Sequence, residues 1–187
     1  MSGYFELSSN MRIPGRWMLK SPVDEHGQEV EPWQFSEGRV LALQSQLRLP
    51  VSLPGRELDF SVTGLGVVVV HGRVAQLFTR MGIDGVQFLP ARVAGHSEPY
   101  FILNALRVCR CIDDARCEEV RYWKPEDGQP EKVGEYRVVA GLRIDPKKVG
   151  DARIFRPWGW PVALLISEDL KQALEAEGIT GTRFVEV

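Results

Sequence analysis

The chain has 187 residues, of which 44% are hydrophobic and 26% charged, so it can bury a sizeable core and is not a disordered or low-complexity protein. Its 23 basic and 25 acidic side chains lack the basic excess that is typical of direct binding to nucleic acid. Without the apolar core of a signal peptide or an apolar run long enough to cross a bilayer, we expect a soluble cytoplasmic protein that contacts no membrane.

The first forty residues are predicted to form an irregular segment that wraps around the rest of the domain. Prolines recur in this segment, and proline both removes a backbone donor and restricts the residue before it, so long helices are excluded. Trp17, Trp33 and Phe35 are the expected anchors of this segment. Short strands are predicted beyond it, at 41–49, 58–62 and 65–70.

Two amphipathic helices are predicted. In the first, Val74, Leu77 and Phe78 recur at the spacing that places them on one helical face. The second begins after Ser167, a good N-cap residue, and ends before Gly178. Further strands are predicted at 86–93, 100–112, 119–123, 136–144 and 152–156, with a polar connection at 124–135.

The two helical stretches resemble each other at an offset of 96 residues. Five identical pairs occur at this offset: Gln76 and Gln172, Gly82 and Gly178, Ile83 and Ile179, Gly85 and Gly181, and Phe88 and Phe184. This similarity predicts two related strand-helix-turn-strand units, near 65–91 and 161–187, in one compact domain spanning 1–187. The predicted fold class is α+β, with mixed but mainly antiparallel sheets and at least two helices.

Charge is concentrated in residues 113–135, which carry eight acidic and four basic side chains. One interpretation is a solvated loop, and the other is an acidic face for a basic partner. Under the second interpretation, the candidate contacts are the carboxylates of the block together with one aromatic anchor: Asp113, Asp114, Glu118, Glu119, Glu126, Asp127 and Trp123.

Trp158 and Trp160 flank a single glycine and follow Arg156, which makes this the most unusual local cluster of the chain. Tryptophan and arginine are typical anchors of protein interfaces, and aromatic pairs also stack on sugars or bases. The two indoles could equally well pack into the core. These three residues therefore join the candidate partner-binding set, with core packing left open.

No catalytic or metal-binding motif is found. Cys109, Cys111 and Cys117 lack the paired ligand spacing of a zinc site and are expected to pack as small apolar side chains, so we expect neither metal nor cofactor. His71, between a valine-rich strand and a helix, is the most suggestive histidine. An enzyme or small-molecule binder built from His71, the Trp158–Trp160 pair and the turn 24–26 is the competing hypothesis, and a deep pocket that collects them would support it.

Several segments resemble the bacterial immunity protein 11 family: residues 12–17, 31–35, 110–114, 121–128 and, most specifically, 143–184. The likeness covers nearly the whole chain. It implies an α+β cytoplasmic protein, not an enzyme, that binds and blocks a toxin encoded by a neighbouring gene. A nuclease is the leading expectation for that toxin. The family offers no catalytic residues to carry over. A regulatory or adaptor protein that binds a neighbour-encoded partner stays open, and the oligomeric state is not determined.

Overall fold

The computed structural model describes residues 3–43 and 45–187, which form two helices and fourteen strands in mixed, mostly antiparallel sheets. This confirms the predicted α+β class. The helices are α1 (Gly72–Arg80) and α2 (Glu168–Ala176). The strands are β1 (Tyr4–Ser9), β2 (Met18–Leu19), β3 (Leu47–Leu49), β4 (Val51–Leu53), β5 (Phe60–Val62), β6 (Val68–His71), β7 (Val86–Val93), β8 (Tyr100–Ala105), β9 (Val108–Cys109), β10 (Glu119–Tyr122), β11 (Tyr136–Ala140), β12 (Ile154–Pro157), β13 (Leu165–Ser167) and β14 (Thr182–Glu186).

Two five-stranded sheets form the body of the molecule. The first has the order β14-β1-β13-β12-β9 and the second the order β3-β7-β8-β6-β5, while β10-β11 and β2-β4 form separate pairs. Both helical stretches have the element order strand, helix, strand: β6-α1-β7 and β13-α2-β14. In each unit a third strand lies between the two strands and pairs antiparallel with both: β8 between β6 and β7, and β1 between β13 and β14. Neither helix has the length and apolar character needed to cross a bilayer.

The two helices end in the same way. Gly82 follows α1 with φ 62° and Gly178 follows α2 with φ 65°, a left-handed conformation that only glycine adopts at little cost. In both helices the residue after this glycine donates its N–H to a carbonyl five residues earlier, Ile83 to Phe78 at 2.9 Å and Ile179 to Leu174 at 3.0 Å. This is the Schellman arrangement, which satisfies the last helical carbonyls.

Alternating side chains bury both faces of both sheets. Val68 and Val70 of β6 point into a central core that also holds Ile166 of β13 and apolar residues of both helices. Val69 points to the opposite face, into an outer cluster that contains Trp17. Leu165 of β13 points to a second outer cluster. Each buried valine, leucine or isoleucine stabilises the fold by about 1.5 to 3 kcal/mol relative to an exposed one.

The N-terminal segment differs from the prediction at two places. Residues 4–9, expected to be irregular, form β1, which pairs on one side with β13 and on the other with β14. Trp33 was predicted to be an anchor, but it is 55% exposed because the 3₁₀ turn Pro32–Ser36 turns Phe35 inward instead. Trp17 is an anchor: it is fully buried, and its Nε1 donates to Ser61 Oγ at 2.9 Å.

In the described part of the predicted strand 41–49, only the end is a strand, namely β3. Residue 44 lies outside the described residues. Leu41 has no strand partner because the amide of Gln87 takes its place: Leu41 N donates to Gln87 Oε1 at 3.0 Å, and Gln87 Nε2 donates to Leu41 O at 2.8 Å. A side chain satisfies this backbone in the way that a neighbouring strand would.

Trp17 and Trp33 differ in burial and should therefore contribute differently to stability. We expect Trp17→Ala to lower the free energy of unfolding by about 3 to 5 kcal/mol, because it leaves a large cavity and an unpaired Ser61 hydroxyl. Trp33→Ala is the matched control and should change it by less than about 0.5 kcal/mol. Urea unfolding followed by circular dichroism gives both values, and equal effects would contradict the assigned anchor.

Candidate functional site

The acidic hairpin, residues 113–140, projects from the first sheet as a separate two-stranded unit. Strands β10 and β11 pair antiparallel from Glu119 opposite Ala140 to Tyr122 opposite Tyr136. Their connection contains two short 3₁₀ turns, Pro125–Asp127 and Pro130–Lys132. The polar sequence of this connection has no apolar face to bury, so it extends into solvent.

Tyr136 joins the hairpin to its surroundings. Its backbone N–H donates to Gly159 O at 3.1 Å, and its hydroxyl donates to Asp114 Oδ1 at 2.6 Å. Burial, and next the bond to Asp114, raise the pKa of Tyr136, so the phenol stays protonated and keeps donating near neutral pH. One residue thereby fixes the start of the acidic block against the loop that carries both tryptophans of the 158–160 cluster.

The tryptophan turn, residues 157–161, lies next to the hairpin. Trp158 donates its backbone N–H to Cys109 O at 2.8 Å, and the guanidinium of Arg110 lies 3.7 Å above its ring. Trp160, like Cys109 and Tyr136, packs against the outer cluster that contains Leu165. Both indoles are half-buried, so part of each ring is accessible to a partner. The acidic hairpin and the tryptophan turn, separate in sequence, are linked through Tyr136.

Trp123 is also half-buried, at the end of β10. Lys132 Nζ lies 5.2 Å and the Arg137 guanidinium 5.1 Å from its ring centroid. Contacts of this kind stabilise by about 0.5 to 1 kcal/mol at exposed sites. Trp123, the predicted anchor, is therefore accompanied by two cations that reduce the negative charge around it.

The candidate carboxylates fall into two groups. Within the described residues, Glu119 pairs with Arg121 and Asp127 with Arg137, while Asp114 accepts from Tyr136. Asp127 also accepts from Lys124 N at 2.9 Å, which closes the first 3₁₀ turn. The remaining candidates, Asp113, Glu118 and Glu126, take part in none of these pairs. Of these, Glu118 and Glu126 are exposed and available to an external cation, whereas Asp113 is half-buried.

The cysteines are free thiols that bond to the backbone or lie in the core. Cys109 Sγ donates to Val149 O at 3.7 Å, and Cys117 Sγ to Arg143 O at 3.6 Å. Cys111 is fully buried, and burial raises its pKa to about 12, so the thiol is neutral. Among the described residues, no group of three or more possible ligands could hold a metal ion.

The residues of the competing enzyme hypothesis are not brought together. His71 caps α1, because its Nδ1 accepts from Arg73 N at 3.0 Å, and its Nε2 lies 3.0 Å from Glu98 Oε2. His26 is exposed in a turn in which its backbone N–H donates to Asp24. Neither histidine lines the cleft described next, and nor do Trp158 and Trp160.

A cleft of about 350 Å³ opens between the two sheets. Its walls come from β1, β5 and β6 and from the segment that precedes β13, and Arg156 of β12 reaches it. The prediction that Arg156 is a surface contact is not supported, because this residue is only 2% exposed and lines the cleft instead. Sequence reasoning missed the cleft because its walls come from three separate stretches, within 6–18, 62–68 and 156–164, that share no motif.

A family model of known proteins matches residues 3–187 and is described as the immunity protein family, Imm11. The chain belongs to the Imm11 immunity protein family. The resemblance seen in the sequence is thereby confirmed over essentially the whole chain. A search of curated proteins gave no match. Immunity proteins of this kind imply a role against a toxin, which makes the acidic hairpin and the tryptophan turn the surface to test.

The two groups of carboxylates predict different effects on folding. Asp127→Ala should lower the free energy of unfolding by about 1 kcal/mol, because it removes both the cap on Lys124 N and the pair with Arg137. The neighbouring Glu126→Ala is the control and should stay within about 0.5 kcal/mol of the native protein. Thermal and urea unfolding measure both. A larger loss in the Glu126 variant would contradict this division.

Proposed function

We propose that this Imm11 protein binds a cognate toxin domain, a nuclease, and neutralises it by covering its active cleft. The binding surface is the acidic hairpin together with the tryptophan turn. The observation that supports the proposal is the junction at Tyr136, which bonds both to Asp114 of the acidic hairpin and to Gly159, the residue between the two tryptophans of the turn. The toxin is encoded by a neighbouring gene, and the encounter takes place in the cytoplasm.

Charge complementarity supports a nuclease as the partner. A nuclease cleft is basic because it must hold phosphates, so an inhibitor that presents carboxylates gains both a faster encounter and contacts that replace those phosphates. Glu118 and Glu126 are exposed on the hairpin, outside the block's internal ion pairs. Direct binding of this protein to nucleic acid has no support from its net charge of −2.

Besides complementary charge, a tight interface needs a few buried anchor residues, and the tryptophans can supply them. A few aromatic or arginine residues, surrounded by contacts that exclude water, carry most of the binding energy in known complexes. Trp158 with Arg110 stacked on it is such a candidate, and Trp123 with Lys132 and Arg137 is another. Inhibition by coverage needs no nucleophile, metal or cofactor. The proposed activity is therefore binding and not catalysis.

A regulatory or adaptor protein that binds the same neighbour-encoded partner without neutralising it would use the same surface. Such a protein differs only in its effect on the partner's activity, so the biological readout has to separate the two. No contact among the described residues favours an enzyme built on His71, since it is engaged as a helix cap.

Co-expression with the product of the neighbouring gene tests the function directly. We expect that gene alone to stop growth, and co-expression of this protein to restore growth and to yield a co-purifying complex. The purified partner should degrade DNA or RNA, and a stoichiometric amount of this protein should stop that reaction. Binding without toxicity would establish the adaptor alternative, and toxicity without rescue or binding would reject immunity for this pair.

Association kinetics test the surface. The double variant Glu118→Lys and Glu126→Lys should slow association with the toxin by about tenfold at low salt and flatten its salt dependence. The matched control reverses Asp84 and Glu29, which are also exposed but lie outside the acidic hairpin, so both variants carry the same net charge. Stopped-flow mixing gives the rates. Equal slowing in both variants would mean that overall charge, and not this surface, guides the encounter.

A further inference from the structure

Arg156 is a buried cation that forms no ion pair with any of the described residues. Its side chain is 2% exposed, and its Nη1 donates to two backbone carbonyls, Pro161 O at 2.7 Å and Ala163 O at 3.4 Å. Its Nε–H, although buried, has no hydrogen-bond partner among the described residues. Burial alone lowers the pKa of Arg156 to about 10, so the guanidinium remains charged at neutral pH.

Burying the charge of Arg156 without a counter-ion destabilises the folded protein. Removing an ion from water costs several kcal/mol even after the protein relaxes, and buried charges are therefore normally paired. Glu6 also lines the cleft, but it is not the missing partner: burial raises its pKa, and the cation that opposes this rise is Arg183. Arg156 thus lacks a counter-ion within the part of the chain that the structure describes.

The cleft in front of Arg156 has mostly apolar walls. Leu7, Val68 and Leu164, all members of the central core, line it, and the exposed Met11 and Val162 stand at its rim. Its volume of about 350 Å³ lies at the lower end of the range for small-molecule sites. The space therefore fits a short aliphatic chain with one polar end.

We propose that the cleft is a carboxylate-binding site, in which Arg156 neutralises the carboxylate and the apolar walls hold an aliphatic body. The guanidinium is planar and presents parallel N–H donors that match the two oxygens of a carboxylate. Arg156 is the only basic residue among the described residues that line the cleft. With one cation and the carboxyl of Glu6 among its described lining residues, the cleft has no further positive charge to offset a phosphate dianion.

The same chemistry has two possible sources. One is a free short-chain acid, and the other is a glutamate or aspartate side chain of a bound protein. The site does not depend on toxin binding, so it can be tested on the isolated full-length chain. Failure of the growth-rescue experiment would leave the outcome of this test unaffected.

The test is a titration of the ¹⁵N-labelled protein with sodium hexanoate, observed at the Arg156 Nε–H signal. We expect a saturable shift of this signal and a rise in melting temperature. Hexanamide has the same shape without the charge and should bind at least tenfold more weakly. No shift with hexanoate, or equal shifts with the two compounds, would overturn the proposal.

Substitutions separate recognition from structure. Arg156→Met should abolish the response to hexanoate, and the melting temperature of the ligand-free variant shows whether the fold tolerates the loss of the bonds to Pro161 O and Ala163 O. Arg92→Met, at an exposed position on β7, is the control and should respond like the native protein. If Arg156→Met does not fold, Arg156→Lys should fold and bind at least tenfold more weakly. A substituted protein that still binds hexanoate as tightly as the native one would reject the role of Arg156.

A second ligand distinguishes the two sources. Acetyl-glutamate methylamide carries its carboxylate on a peptide backbone, and its glutamine analogue is the neutral control. Tighter binding of the glutamate compound than of hexanoate would indicate an acidic side chain of a partner protein, and the reverse order a free acid. Either order supports a carboxylate site, and binding of neither compound refutes it.

Discussion

Burial of both faces of both sheets is the constraint on which the rest of the molecule depends. Because successive side chains of β6 and β13 point to opposite faces, each strand contributes to the central core and to an outer cluster. The central core covers only one face of each sheet. The other faces need separate covers, and this accounts for the long segments outside the two helical units. The N-terminal segment covers one, and residues 109–152 cover the other.

Strand β1, near the beginning of the chain, pairs with two strands near its end, β13 and β14. It pairs Tyr4 with Ser167 and Phe5 with Glu186, so residues from the two ends of the chain share one sheet. In the unit β6-α1-β7, the strand that lies between β6 and β7 is β8, which follows β7 in the chain. In the unit β13-α2-β14, the strand in this position is β1, from the beginning of the chain. Contacts this distant in sequence form only after a large loss of chain entropy, and the first sheet needs residues 4–9 to join β13 to β14.

The two candidate sites follow from the same architecture. The acidic hairpin contributes little to the core and is held at Tyr136, which leaves its outer carboxylates exposed to solvent. Core residues of both sheets form part of the cleft walls, and Arg156, the one cation among the described lining residues, is only 2% exposed. A surface of the first kind suits a protein partner, and a cavity of the second kind suits a small group that can enter it.

The sequence by itself determined the α+β class, the family, both helices and the strand at 86–93, because helical and strand periodicity, caps and terminal glycines are local signals. It could not reveal that residues 4–9 complete a sheet, since their partners lie about 160 to 180 positions away. It also identified the acidic residues without distinguishing Asp127, which is held by Arg137, from Glu126, which is exposed. Only the tertiary structure decided these points and the position of Arg156, because pairing and burial depend on which distant segments meet.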